Sequence, residues 1–385
     1  YLAWVNPKLT YGWHSYSTAA LVFKLAHALL KTRPAPNFDL KETLDLVALG
    51  TVADLVPLVS ENRLLVRRGL EALAQTQRLG LRALKQLAGV DGLVQTHHVS
   101  FRLGPRLNAA GRLDTAATAL ELLLAGEMET AAELANLLEA HNKDRQNVEQ
   151  AVHAEAEAML ATLGDLEQLS AIVLGSRNWH PGVIGIVASR ISRLCHRPTI
   201  LVSFDENGVG KGSGRSIPGF SLVEAIDICR DHLLGGGGHA MAAGISVQEA
   251  KIDSFREAFA AAARQALSDE AMTPLLELDV EVKLKDLTLS FLENYKLMEP
   301  FGQKNPEPLF FSRRVVPKLP GRSIKGKHLR LMLTQDGAGM DSVWFNAPIG
   351  KLPPAPWDVA MRLQRSFFRG QEQWQITLEG VRSSV

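Results

Sequence analysis

"LLGGGGHAMAAGISV" fills residues 233–247: four consecutive glycines run into His239, then small residues and a fifth glycine, Gly244. Glycine loses more backbone freedom on folding than any other residue, so a run this dense needs a reason. A loop that brings bare backbone up to a ligand is one reason. Successive N–H groups there can converge on an anion, and His239 can donate to a phosphate oxygen. The plain alternative is a flexible turn with a surface histidine. The tight spacing, and the small residues that follow, favour the ligand reading.

Working outward, "SLVEAIDICRDHL" (221–233) reads as a helix before the glycines, and "AGISVQ" (243–248) as a short strand after them. "SAIVLG" (170–175) reads as a buried strand, and "VIGIVASRISRL" (183–194) as a helix with Ile184, Val187, Ile191 and Leu194 on one face. "TILVSFDENGVGKGSGRS" (199–216) is a strand, a turn and a second extended piece. A last helix carries Ile252, Phe255, Phe259, Ala262 and Ala266. Strands alternating with helices in this way make an α/β domain.

The 385 residues are 46% hydrophobic with a formal charge of +1. That suffices for two or three domains, and any affinity for nucleic acid must come from local patches. Cys195 and Cys229 form no C-x-x-C, which suits a reducing cytoplasm with two buried thiols. No run approaches the roughly 18 apolar residues of a membrane span. The start, "YLAWVNPKLT", lacks an initiator Met and a signal-peptide pattern, and is expected to be cut from a longer chain.

Apolar helices are expected at 15–31 and 39–50, and a helical stretch at 62–89. Residues 97–116, "HHVSFRLGPRLNAAGRLDTA", are broken by Gly104, Pro105 and Gly111 and read as a loop. Residues 127–163 read as one helix spanning about 50 Å. Its polar middle, "EAHNKDRQNVEQ" (139–150), suggests a strut between domains. After Thr273, short alternating strands such as "HLRLMLTQ" and "QWQITLEGV" predict a small all-β barrel or sandwich.

Several segments could carry chemistry. "GVGKGSGRS" (208–216) is not a Walker A loop, because Gly212 stands where Ser or Thr would bind Mg²⁺. Lys211, Ser213, Arg215 and Ser216 suit a terminal phosphate, with Arg215 binding as a fork. His180 precedes a helix start, where N–H groups face an anion, or simply caps it. Arg102, Arg106, Asn108 and Arg112 gather where a phosphate backbone could lie. Asp54 is an isolated carboxylate in apolar text: if buried it must be paired, metal-bound or neutral, and it could equally be a cap. His97 and His98 fit surface or core histidines. Arg313, Arg314, Lys318, Arg322, Lys325, Lys327 and Arg330 form a basic run, and Arg362, Arg365 and Arg369 surround Phe367 and Phe368. Basic groups beside rings make a single-strand platform.

In order, "VALGTVADLVPL", "RLGPRLNAAGRLD", "NWHPGVIGIVASR", "GKGSGRS", "GGGGHAMAAG" and "PFGQKNPEPLF" resemble the RecJ branch of the DHH phosphoesterase family, over essentially the whole chain. The resemblance implies an α/β protein: the C-terminal part of a DHH domain at 1–120, a connecting helix at 121–165, a DHH-associated α/β domain at 166–271 and an OB fold at 272–385. It implies a cytoplasmic single-stranded-DNA exonuclease, 5′ to 3′, in repair and recombination. Two ions, Mn²⁺ or Mg²⁺, would activate the attacking water, and a helicase or single-strand-binding protein could be a partner. Asp54 matches a metal-binding Asp of the family. Ser213 and Arg215 match the grip on the 5′-terminal phosphate, and Ser216 and His180 are expected to bind substrate. His239, Gly237 and Gly238 match the associated domain's signature. Arg106, Asn108 and Arg112 fall where DNA contact is expected, and Lys325, Lys327 and Arg330 on the OB surface.

The family's other metal motifs have no match, and Thr96-His97-His98 follows Asp54 and lacks the Asp. One motif ligand cannot hold two ions about 4 Å apart, so the chain alone is expected to be inactive. Two other readings stay open: a phosphodiesterase of the same class for short oligonucleotides, and a non-catalytic single-strand-binding protein.

Overall fold

A computed structural model describes residues 15–113, 116–368 and 371–384, without the side chains of 112, 113, 167, 366–368 and 371–373. The chain divides into two units. One holds the residues up to 76, 92–99 and 276 onward; the other holds 77–91 and 100–275.

The first helices follow the apolar text. α1 (Thr18–Thr32) is capped by Ser17, whose Oγ accepts from the Ala20 N–H. The stretch expected as one helix over 62–89 is two, α3 (Ser60–Ala74) and α4 (Leu79–Leu87). α2 (Leu44–Ala53) packs on α3, where a Cβ on Gly69 would collide with Ala48 at 2.6 Å. Of residues 97–116, read as a loop from their Gly and Pro, the stretch 97–113 is helical. It holds a short helix α5 (Thr96–His98), a π-helical stretch (Val99–Leu103) and α6 (Gly104–Leu113). A π-turn widens the helix just before Pro105, where the ring would otherwise meet the preceding turn.

In the second unit, α7 (Ala117–Leu124) is followed by α8 (Met128–Thr162), a single 35-residue helix. Its buried stripe runs Ala131, Ala135, Leu138, Asn142, Arg145, Glu149, Val152, Ala156, Leu160. The polar middle therefore buries one stripe, Asn142, Arg145 and Glu149, while Lys143, Asp144, Gln146, Asn147 and Gln150 stay exposed. Arg145 donates to Asn142 at 2.9 Å and pairs with Glu149. Glu149 also pairs with Arg190 on α9 (Pro181–Cys195), so the buried carboxylate is compensated.

A five-stranded sheet completes this unit: β1 (Ile172–Ser176), β2 (Thr199–Phe204), β3 (Val209–Arg215), β4 (Gly235–Gly238) and β5 (Ala242–Gln248), in the order β1-β2-β3-β5-β4. One face packs on α8 and α9 through Leu174, Leu201, Val187 and Ile191. The other meets α10 (Leu222–Ile228) and α11 (Ile252–Ala266) through Ile200, Val202, Phe255 and Phe259. Leu194, expected on the packed face, is exposed. Cys229 is buried, and burial pushes its thiol up to about 11; Cys195 is only half-buried. Gly235–Gly238 is not a loop but an edge strand, paired antiparallel with β5. Successive N–H groups of a strand point to opposite sides, so they do not converge on one anion.

The C-terminal part of the first unit opens with β6 (Val280–Glu281) and α12 (Leu289–Lys296). Then come β7 (Phe310–Ile324), β8 (His328–Gln335), β9 (Ala338–Trp344), β10 (Trp357–Phe368) and β11 (Gln371–Ser383). β7 pairs with β10 and closes a five-stranded barrel ordered β10-β11-β9-β8-β7, with β9 parallel to β11. Closure removes the sheet edges. Val315, Leu333, Trp357, Met361 and Ile376 fill the interior. Among the described residues, no helix is long and apolar enough to cross a membrane.

Candidate nucleic-acid interface

Alternation along β3 explains its glycines. A Cβ would lie 2.5 Å from Val202 at Gly210, 2.5 Å from Ile245 at Gly212 and 3.2 Å from Ile200 at Gly214. These glycines let the strand settle into the core on the α10–α11 side. Lys211, Ser213 and Arg215 therefore face the other way, toward α9. There, a Cβ on Gly185 of α9 would be 2.9 Å from Ser213 Oγ and 3.0 Å from Arg215 Nη2. Arg215 Nη1 donates to Ser213 Oγ at 3.1 Å and to the Gly214 carbonyl at 2.7 Å. The guanidinium is thus half-buried and held in place beside a hydroxyl.

Register places bare backbone next to this pair. Ser213 stands opposite Gly244, and Gly244 opposite Gly237. Cross-strand partners share a face. A Cβ on Gly235 or Gly237 would meet nothing within 4 Å, and one on Gly244 only the Gly212 carbonyl at 3.8 Å. The result is a floor of backbone beside Ser213 and Arg215. Gly236 and Gly238 serve packing instead: a Cβ would lie 3.0 Å from Ile226 at Gly236 and 2.6 Å from the Ala242 carbonyl at Gly238. His239 is exposed at the end of β4, its N–H donating to the Ala242 carbonyl.

The other expected site residues are spread out. His180 caps α9, its Nδ1 accepting from the Gly182 N–H at 3.0 Å. Ser216 Oγ donates to the Phe220 carbonyl at 2.7 Å and holds the following turn. Arg106 pairs with Glu139 of α8 at 2.7 Å and donates to the Arg102 carbonyl. Asn108 is exposed, and the Arg112 side chain lies outside the described residues. Asp54, in the first unit, is exposed at the C-terminal cap of α2 and not buried among apolar groups. Among the described residues, no group of three His, Cys, Asp or Glu side chains could hold a metal ion. Asp54 thus belongs to no such group.

On the barrel, Lys325 and Gly326 turn β7 into β8 with φ of 50° and 66°, and Lys327 donates its N–H to the Ile324 carbonyl. Both positive φ values mark a type I′ turn. Lys325 and Lys327 are exposed at its tip. Arg330 is exposed on β8 and paired with Asp341 at 3.0 Å. Arg362 and Arg365, read as part of the platform, are committed to Glu379 at 3.4 Å and Glu299 at 2.6 Å. Phe367, Phe368 and Arg369 lie outside the described side chains. One ring escaped the sequence reading. Phe345 is half-exposed and meets His328 edge-on at 5.3 Å. It follows a strand whose alternation gave it no distinguishing mark.

The DHHA1 domain model matches residues 168–265, and the RecJ OB domain model matches 278–380. The chain joins these two domains. It is 38% identical over 344 residues to the single-stranded-DNA-specific exonuclease RecJ of Bacillus subtilis, covering 89% of this chain and 43% of that one. Against RecJ of Escherichia coli it is 35% identical over 356 residues, covering 89% and 61%. A crystal structure of Thermus thermophilus RecJ with Mn²⁺ superposes with a TM-score of 0.83 at 33% identity, over 98% of this chain and 55% of that one. The chain is RecJ-like. It spans between 43% and 62% of the length of the curated relatives it matches.

Proposed function

We propose that this chain grips substrate for a single-stranded-DNA exonuclease that hydrolyses phosphodiester bonds from the 5′ end. The observation that carries this is the Ser213–Arg215 pair, set against Gly185 beside the glycine floor. A terminal phosphate offers several acceptor oxygens. The Arg215 fork and the Ser213 hydroxyl are the donors suited to it. Gly237 and Gly244 let the adjoining sugar-phosphate chain lie against the sheet, with His239 at its margin. On the barrel, Lys325 and Lys327 would track the phosphates of a single strand. Asn108 and Arg112 are assigned to DNA contact, while the Glu139 pair makes Arg106 chiefly a brace for α6. Use of Mn²⁺ or Mg²⁺, with two ions and Asp54 as one ligand, is part of the same proposal, by analogy with the RecJ structures that carry Mg²⁺ or Mn²⁺. So are the domain limits at 120, 165 and 271, a role in repair and recombination, a cytoplasmic setting, and a helicase or single-strand-binding protein as partner. The five-stranded barrel favours a long single strand over a short oligonucleotide, which needs no extended platform.

Fluorescence anisotropy tests this with the chain as it is and one oligonucleotide in three forms: 5′-phosphorylated single strand, 5′-hydroxyl single strand and duplex. Affinity should fall in that order and weaken with salt. Equal affinity for all three would overturn the proposal.

A further inference from the structure

Within the first unit, the barrel and helices α3 and α5 enclose a cavity of about 440 Å³. That lies within the size range of small-ligand clefts, ~300–1,000 Å³. Its wall is rich in charge, and on the barrel side the arginines are engaged by carboxylates. Arg365 pairs with Glu299 at 2.6 Å and Arg362 with Glu379 at 3.4 Å. The Tyr295 hydroxyl donates to Glu307 at 2.8 Å. Arg362 and Arg365, engaged in this way, have little to offer a phosphate. Two features suit a neutral, flat ligand. Phe345 lines the cavity, is 48% exposed, and is braced edge-on by His328. Gln364 accepts through its carbonyl from Gln375 and Thr377, each at 3.2 Å, which leaves its amide NH₂ without a partner among the described residues.

We propose that this cavity takes one nucleobase of a bound single strand, stacked on Phe345 with a polar edge toward Gln364. The inference rests on the single-strand reading above. His328, which braces the ring, directly follows Lys327. A strand whose phosphates lie along the hairpin tip therefore has a base close to Phe345. Base stacking is sequence-tolerant, so the pocket adds affinity without demanding a particular base.

The test is anisotropy titration of the chain with fluorescein-labelled oligo(dT) and with an abasic oligonucleotide of equal length, over a series of salt concentrations. Phe345→Ala should lower oligo(dT) affinity about 5- to 150-fold, the range for one stacked base. The salt slope should not change, because no phosphate contact is lost. Abasic binding should be unaffected, and Phe345→Tyr should retain affinity. If Phe345→Ala melts early, Phe345→Leu keeps the apolar bulk and should show the same selective loss. Unchanged oligo(dT) affinity, or equal losses on both oligonucleotides, would overturn the base pocket alone. Wild-type protein that binds neither would overturn the single-strand reading and the pocket with it.

Discussion

Lys211, Ser213 and Arg215 on β3, and Lys325 and Lys327 at the β7–β8 turn, are both basic stretches interleaved with glycine, yet the fold uses them differently. On β3 the glycines face the core, and the polar residues are pressed toward α9. Arg215 is half-buried and hydrogen-bonded before any ligand arrives. Most of the cost of ordering it has been met in folding, so it can read one group at one place. At the hairpin the single glycine only closes a turn, and the lysines stand in solvent. Such charges act through counterion release and carry little geometry. The difference lies in what stands behind each stretch: a helix in one case, water in the other.

The largest expected effect is at the fixed site. Losing one charge-assisted contact costs about 1.5–3 kcal/mol, or roughly 10- to 150-fold. Arg215→Ala should weaken binding of 5′-phosphorylated single strand by that much while barely changing the 5′-hydroxyl form. Arg215→Lys should rescue little, since a point charge cannot reproduce the fork. Equal losses on both substrates, together with a lower melting temperature, would reduce Arg215 to a support for its strand and dissolve the contrast.

Neighbouring glycines of β4 sharpen it next. Gly236→Val must push against Ile226 and the Gly244 carbonyl, and should cost about 1–3 kcal/mol of stability in denaturant melts. A Cβ at Gly237 meets nothing within 4 Å, so Gly237→Val should keep stability within about 0.5 kcal/mol. It should nevertheless weaken single-strand binding by covering the backbone floor. A Gly237→Val protein that binds normally would show that the floor is not used.

At the hairpin the readout is the salt slope. Lys325→Ala with Lys327→Ala should flatten it by about 1.4 units, at roughly 0.7 per lost phosphate contact on a single strand. Both 5′ forms should suffer alike, and any preference for the phosphorylated form would contradict the division of labour. The smallest effect is expected at Arg330, whose charge Asp341 already engages. Exposed pairs of this kind contribute about 0–1 kcal/mol. Arg330→Ala should change both the slope and the melting temperature less than the double lysine change does.

Much of this was legible in the sequence because it depends on local periodicity. The strand–helix alternation of the α/β domain, the long helix α8 and the late run of short strands all follow from spacing, and Ser213 and Arg215 share a face because a strand repeats every two residues. Misreadings arose where a residue's role depends on what lies opposite. The four glycines read as a loop because glycine is weak in strands, yet β5 recruits them as an edge. Gly104 and Pro105 read as a break, yet a π-turn absorbs the ring.

By itself, then, the sequence determined the order of the elements, the class of each domain and which polar residues alternate together, since these are set by the chain's own repeat. Which charges remain available was decided only by tertiary structure. Arg106, Arg365 and Lys325 look alike in the sequence. Folding brings Glu139 to the first and Glu299 to the second, and leaves the third in solvent. A cation and the carboxylate that engages it can lie more than 30 residues apart, and no local pattern encodes that meeting.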